Sequence, residues 1–118
     1  MHQNLIVMFK VAIIGGENKG NYVFFVEKCA FFLKNKIKNG IRILTIGDKF
    51  VDILCATANI DKQVFYCDWK THGKDAIKNR NNKIINESDA IIVFNDGTKD
   101  CNFFIDMAKK SNKPLRII

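Results

Sequence analysis

Short apolar runs alternate with segments of helical periodicity along the chain. The predicted strands are residues 9–14, 41–46, 64–67, 90–94 and 115–118. The predicted helices are residues 21–38, 52–58, 76–85 and 101–111. Strands that are joined through helices run parallel, because each crossover returns the chain to the same edge of the sheet. The order therefore predicts an α/β fold, a Rossmann-like three-layer sandwich of about five parallel strands with helices on both faces.

Length and composition indicate one domain that spans residues 1–118. With 47% hydrophobic residues and one proline, the composition is that of a globular and not a disordered chain. Met8 offers a second start codon, so residues 1–8 are a candidate loose N-terminal extension. No apolar run approaches the ~20 residues of a membrane span, and the N-terminus lacks the basic start and cleavage site of a signal peptide. We therefore expect a cytoplasmic protein without a membrane partner.

The four cysteines are widely separated and form no C-x-x-C pair. Cys29 falls on an apolar helix face, and Cys55 and Cys67 lie in apolar runs. Such cysteines usually serve as small buried hydrophobic residues. Neither a disulfide nor a metal site is predicted, and no cofactor is predicted either.

The formal net charge is +7, supplied mostly by lysine. The positive charges are dispersed over residues 34–42, 70–83 and 109–116, and such a field favours anionic ligands in general. A nucleic-acid site would be indicated by a basic stripe interleaved with aromatic residues, which the sequence lacks. Nucleic acid is therefore not an expected partner, and binding to it ranks third among the functions considered.

Polar or glycine-containing turns follow most of the predicted strands. In a parallel sheet such turns share the carboxyl edge, where ligands bind near the switch in strand order. The candidate ligand-binding residues in these turns are Gly15, Gly16, Gly47, Asp48, Trp69, Gly73, Asn95, Asp96 and Gly97.

Each of these turns also has an explanation that needs no ligand. The turn from Gly15 to Gly20 has the layout of a phosphate-binding strand–helix junction, but a plain tight turn explains it equally well. Asp48 is better explained as a helix N-cap than as an acceptor for a ligand hydroxyl. Trp69 could stack on a base or plug the edge of the sheet. Asp96 is explained equally well as a cap of the next helix.

Arg80 and Asn81 are the candidate binding residues within a helix. At 100° per residue, Arg80 lies about 60° to one side of Ile77 and Asn81 about 40° to the other, so both flank an apolar stripe. A charge there is disfavoured unless it has an anionic or carbonyl partner. The alternative is that Arg80 extends outward over the stripe, or pairs with Asp68 or Asp96.

A series of residues resembles the SLOG superfamily, and within it the small proteins related to YspA. The series is Asp68-Trp69-Lys70, Gly73-Lys74, Ala76, Arg80-Asn81, Asp89 to Phe94 and Asp96-Gly97. Its most specific part is the tryptophan–glycine–arginine–asparagine order, and the likeness extends distantly to the LOG phosphoribohydrolases. The resemblance implies a Rossmann-like fold and an ADP-ribose-like or nucleoside-monophosphate-like ligand. It also implies that Arg80 contacts the phosphate or ribose of that ligand, with Asn81 beside it.

The chain departs from that family at several positions. Thr45-Ile46-Gly47-Asp48 replaces a loop of small residues, Glu17 replaces an arginine, and Cys101-Asn102 replaces a Gly-Thr pair. Where the hydrolases carry a glutamate, this chain has Ile105 with Asp106 next to it. The acid/base carboxylate of the hydrolases is thus missing.

These departures favour non-catalytic binding, for sensing or sequestration, of a nucleotide-derived small molecule. Sequestration would suit a phage or mobile-element protein, for which the Asn, Lys and Ile bias is a hint. The alternative is a nucleotide N-glycosidic or phosphoribosyl hydrolase in which Asp96, Asp100 or Asp106 is the substitute carboxylate. A homo-oligomer is the other expected partner, with the aromatic-rich first helix as its contact surface.

Overall fold

The computed structural model describes residues 8–36 and 40–118. Apart from Met8, the candidate N-terminal extension lies outside the described residues, as do residues 37 and 38 of the predicted first helix. That helix was predicted to reach residue 38 but ends at Leu33, so this bound of the prediction is wrong. Within the two described ranges, no helix combines the length and the apolar character needed to cross a membrane.

In the described chain, parallel strands form one five-stranded sheet. They are β1 (Phe9–Ile14), β2 (Ile41–Thr45), β3 (Asp61–Val64), β4 (Ala90–Val93) and β5 (Leu115–Ile117). Their spatial order is β3-β2-β1-β4-β5, and every neighbouring pair is parallel. The connections reverse direction between β1 and β4, so the crevice that binds ligands in such sheets opens beyond these two strands.

Helices cover both faces of the sheet, which confirms the predicted three-layer α/β fold. They are α1 (Tyr22–Leu33), α2 (Lys49–Ala58), α3 (Trp69–His72), α4 (Ala76–Glu87) and α5 (Lys99–Lys110). Successive residues of a strand point to opposite faces. Val11 and Ile13 of β1 therefore pack with α1 and α2, whereas Ala12 and Ile14 pack with α4 and α5.

Two helices begin earlier than predicted because polar side chains cap them. The side chain of Asp48 accepts hydrogen bonds from backbone N–H groups in the first turn of α2, which begins at Lys49 and not at residue 52. The side chain of Thr98 likewise accepts from the N–H of Cys101, which places the start of α5 two residues earlier than predicted.

The third strand lies three residues earlier than predicted. The sequence indicated a buried strand at residues 64–67, but β3 ends at Val64 and Tyr66 is 79% exposed. The prediction is wrong because β3 is an edge strand, which needs no continuous apolar run. Its polar residues face outward, and Lys62 pairs with Asp52 at 2.8 Å.

A lysine from the last loop holds the C-terminal end of α4. Lys113 Nζ donates to the carbonyl oxygens of Ile85, Asn86 and Ser88 at 2.6, 2.8 and 2.6 Å. A helix C-terminus leaves carbonyls without intrahelical partners and carries partial negative charge, so an ammonium group stabilises it. The contact anchors the helix that carries Arg80.

Candidate functional site

A pocket of about 680 Å³ opens at the carboxyl ends of the strands. Its volume lies within the ~300–1,000 Å³ range of small-molecule sites. The end of β1, the turns after β1 and β2, the segment around α3, the helix α4 and the start of α5 form its wall. The pocket therefore lies at the edge where the sequence predicts a ligand site.

Most of the predicted ligand-binding residues meet in this pocket. Those that line it are Gly15, Gly47, Asp48, Trp69, Arg80, Asn81 and Asp96. The predicted residues outside its lining are Gly16, Gly73, Asn95 and Gly97. These four shape the turns: Asn95 Oδ1, for example, accepts a hydrogen bond from Gly97 N at 2.9 Å.

Arg80 and Asn81 meet on the wall that α4 contributes. Asn81 is 2% exposed and belongs to the buried face of α4. Its Oδ1 accepts hydrogen bonds from Arg80 Nε at 3.3 Å and Nη2 at 3.2 Å, and its Nδ2 donates to Met107 Sδ at 3.9 Å. The sequence predicted that Arg80 needs an anionic or carbonyl partner. Within the chain, that partner is the side-chain oxygen of the buried Asn81.

The guanidinium of Arg80 keeps donors for a ligand. The salt bridges of the described residues join β2 to β3 and β3 to α2, and neither involves Arg80. The alternative that Arg80 pairs with Asp68 or Asp96 is therefore wrong. A guanidinium carries five N–H donors in a planar fork that matches a phosphate or carboxylate, and Asn81 engages two of its three nitrogens.

The glycine turn after β1 is packed against its own chain. A Cβ on Gly15, whose φ is +70°, would collide with the Asn18 amide and lie 2.7 Å from the carbonyl oxygen of Phe94. A Cβ on Gly16 would lie 2.5 Å from the ring of Phe25. Asn18 Nδ2 also donates to Phe94 O at 2.8 Å, which joins this turn to the end of β4. The close approach that these glycines allow is thus made by the protein itself, and the plain-turn alternative explains them.

Two carboxylates fill the N-terminus of α2. Asp48 Oδ1 accepts from Phe50 N at 2.9 Å and Val51 N at 3.2 Å, and its Oδ2 accepts from Glu17 N at 3.2 Å. Glu17 Oε2 in turn accepts from Lys49 N at 2.7 Å. Free N–H groups at a helix N-terminus are a ready anion site, and here the chain's own acids occupy them. The prediction that Asp48 is an N-cap is confirmed.

The loop before α5 and the start of that helix carry two more carboxylates. Asp96 Oδ1 accepts from Thr98 N at 3.0 Å and Thr98 Oγ1 at 2.7 Å, and these hydrogen bonds lower the pKa of Asp96 from its ordinary value. Asp100 is exposed and lines the pocket. Asp106 is exposed but does not belong to the lining, and its neighbour Ile105 is buried in the core.

Trp69 stands at the pocket on the one-turn helix α3, where the sequence predicted only a polar turn. Asp68 Oδ1 caps this helix by accepting from Thr71 N at 3.1 Å. Trp69 is 56% exposed, so the alternative that it plugs the edge of the sheet is wrong. Much of its indole surface is free to contact a flat ligand.

Several lining residues were not predicted as ligand-binding. They are Ile14, Glu17, Asn18, Ile46, Cys67, Ile77, Thr98, Asp100, Cys101 and Phe104. Thr98 carried a signal, because a threonine just before an apolar-periodic run is typical of a helix N-cap. Asn18 carried none, because its place depends on the contact with Phe94, 76 residues away in the sequence.

The cysteines differ in their surroundings. Cys29 and Cys55 are buried as predicted, and burial raises the pKa of Cys29 to about 12 and that of Cys55 to about 11. Cys101 is buried at the pocket wall, whereas Cys67 is half-buried there. Among the residues that the structure describes, no three His, Cys, Asp or Glu side chains lie together as metal ligands would.

No protein-family model, curated protein or solved structure matches this chain. The pocket and the residues that line it are therefore the basis on which its function can be inferred.

Proposed function

We propose that the chain binds a nucleotide-derived small molecule in this pocket, without turnover, as a sensor or a sequestering protein. One observation carries the proposal. The guanidinium of Arg80 lies at the pocket without a carboxylate partner in the described chain, and a buried amide, Asn81, fixes its orientation. A half-buried cation held in this way is well suited to binding an anionic group such as a phosphate.

The rest of the pocket supports a ligand with a flat ring. Trp69 is exposed on the wall, and stacking on a base contributes about 1–3 kcal/mol in proteins that bind nucleic-acid bases. Ile14, Ile46 and Ile77 supply an apolar lining. Membership of the SLOG superfamily is part of the proposal, because the tryptophan and the arginine–asparagine pair that carry the resemblance all line the pocket.

The carboxylates of the pocket support binding over hydrolysis. A general acid at neutral pH needs a raised pKa, and the pKa of Asp96 is lowered by its hydrogen bonds to Thr98. Asp48 and Glu17 already accept hydrogen bonds from backbone N–H groups. Ile105, at the position of the glutamate of the LOG hydrolases, is part of the core.

The test is a ligand panel of nucleoside monophosphates, ADP-ribose, NAD and cyclic nucleotides. Binding is read from thermal unfolding and from the fluorescence of Trp69, the one tryptophan of the chain. A ligand at 100 times its Kd stabilises a protein by about 2.7 kcal/mol, which raises the Tm of a domain of this size by several degrees. We expect at least one ligand to give this shift and to be recovered unchanged after long incubation.

The matched variants are Arg80→Gln and Arg116→Gln. Glutamine at position 80 keeps a donor for Asn81 but removes the charge, so the ligand-induced shift should disappear. Arg116 is exposed on β5 and does not line the pocket, so its variant should respond like the parent protein. A flat panel, or an Arg80→Gln variant that binds normally, would contradict the proposal. Release of free base that is lost in Asp96→Asn would favour the hydrolase.

A further inference from the structure

The charges at the pocket have the opposite sign to the charge of the chain. Four carboxylates line it, those of Glu17, Asp48, Asp96 and Asp100, and Arg80 is the single cation of the described lining. The whole chain has a formal net charge of +7. The other positive charges lie outside the described lining, with Lys19 near enough to Asp96 to help lower its pKa, and the lining itself is acidic with one basic group.

No described salt bridge neutralises these carboxylates. Asp96 is kept ionised by its hydrogen bonds from Thr98, and neither described salt bridge involves a pocket acid. The acids also do not assemble into a metal-binding cluster within the described residues. Asp100 makes no described side-chain hydrogen bond, and Oδ2 of Asp96 makes none either, so both face a ligand with unused acceptors.

We propose that the ligand is zwitterionic, with one anionic group bound by Arg80 and a cationic group placed among the carboxylates. The inference rests on the proposed function, because it concerns the same pocket and the same arginine. A pyrophosphate would bring its second negative charge against acids that already occupy the helix N-terminus and the loops. A cation on the ring or sugar of the ligand would instead be attracted by several carboxylates at once.

The pair of probes is nicotinamide mononucleotide and its reduced form. They share one phosphate, a ribose and a ring of nearly the same size, but only the oxidised ring carries a positive charge. Isothermal titration calorimetry at low salt compares their affinities directly. We expect the oxidised form to bind about tenfold more tightly, since each partly exposed charge pair contributes only a small factor and several act together. Nicotinic acid mononucleotide, in which a carboxylate replaces the carboxamide of the ring, should bind more weakly than the oxidised amide.

The matched protein variants are Asp100→Asn and Asp106→Asn, both exposed positions on α5. Asp100 lines the pocket and Asp106 does not, so only Asp100→Asn should reduce the preference for the oxidised form, by about threefold. Added salt should reduce the same preference in the parent protein.

The outcomes separate this inference from the proposed function. Equal or tighter binding of the reduced form, or binding of ADP-ribose that exceeds that of the oxidised mononucleotide, would overturn the zwitterionic ligand. Either result, if it disappears in Arg80→Gln, would leave the nucleotide-binding function standing. Absence of binding by every probe, with the protein folded, would overturn both.

Discussion

The two sides of the pocket differ in where their polar groups find partners. On the turn side, which comprises residues 15–20 and 47–48, the amide of Asn18 and the carboxylates of Glu17 and Asp48 all bond within the chain. On the α4 side, which comprises Trp69, Arg80 and Asn81, the indole is exposed, and within the described residues the guanidinium bonds only to Asn81. We infer that the backbone of the turn side is scaffold, that its carboxylates set the charge of the pocket, and that the α4 side binds the anionic group of the ligand.

This difference reverses the usual use of a glycine turn in such folds. In dinucleotide-binding domains the turn after the first strand lets the backbone approach a phosphate, which sits on the N-terminus of the following helix. In this chain the space beside Gly15 is taken by Asn18 and Phe94, and Asp48 and Glu17 occupy the N-terminus of α2. Under the proposed function, anion binding is thereby left to Arg80.

The largest effect should come from a side chain at Gly15. In Gly15→Ala the new Cβ collides with Asn18 and with the end of β4, and alanine at φ +70° is also strained. Overpacking and left-handed strain together should lower the free energy of unfolding by about 3 kcal/mol. Gly97→Ala is the control, because its φ is +79° but its Cβ would meet open space. The free energy of unfolding of Gly97→Ala, measured by urea denaturation, should fall by only about 1 kcal/mol. Equal losses would mean that the turn is not packed as described.

Removal of the Asp48 carboxylate, which links the turn after β1 to the turn after β2, should cause a smaller loss of unfolding free energy. Asp48→Ala leaves the N–H groups of Phe50 and Val51 without their cap and frees Glu17 N, so the free energy of unfolding should fall by about 2 kcal/mol. Asp100→Ala, an exposed position with no described side-chain hydrogen bond, should change it by less than about 0.5 kcal/mol. Indistinguishable unfolding midpoints for the two variants would show that Asp48 is not structural.

What the sequence could predict differs in the same way between the α4 side and the turn side. The alternation of strand and helix patterns was enough to predict the parallel sheet and the edge of the sheet where the pocket lies. Arg80 and Asn81 could be identified because their signal is local: two polar residues beside an apolar stripe on one helix. The hydrogen bond between Glu17 and Asp48 could not be predicted, because it joins residues 31 positions apart across the sheet edge, and no local pattern encodes such a pair.

The third strand shows a second limit of local patterns. The apolar run at 64–67 was taken for the strand itself, but its pairing with β2 starts at Asp61 and ends at Val64. Phe65 follows the strand into the core, whereas Tyr66 turns to solvent. An edge strand has only one neighbour, so its register depends on that neighbour and not on its own hydrophobicity.

On the α4 side, stability and binding should respond differently to substitution. Asn81→Leu replaces a buried amide by an apolar side chain of similar size, so the free energy of unfolding should change by less than about 1 kcal/mol. The carbonyl that orients Arg80 is lost, and we expect the affinity for a ligand found in the panel to fall by about 1 kcal/mol in free energy, or roughly fivefold.

A double-mutant cycle with Arg80→Gln tests whether Asn81 acts through the arginine. If it does, Asn81→Leu should have almost no further effect on affinity once Arg80 is replaced. Additive losses would mean that the Asn81 amide contributes to binding independently of the arginine, and the assignment of Asn81 as a positioning residue would be wrong.

The smallest effect concerns Asp96, whose Oδ1 accepts hydrogen bonds within its own loop, as the carboxylates of the turn side do, while its Oδ2 accepts none in the described chain. Hydrogen bonds from Thr98 N and Oγ1 lower the pKa of Asp96 in the folded protein, so the folded state binds fewer protons than the unfolded chain in the pH range between the two pKa values. Its contribution to stability is therefore present above the unfolded pKa, about 3.9, and is lost as the pH falls through the lower folded value. Asp96→Asn should be less stable than the parent at pH 6, and the gap should close on acidification, as followed by urea denaturation from pH 6 to pH 2.5.

Asp106→Asn is the control and should track the parent throughout, because its side chain makes no described hydrogen bond on the exposed face of α5. A gap that stays constant with pH would mean that the carboxylate of Asp96 is not held by Thr98.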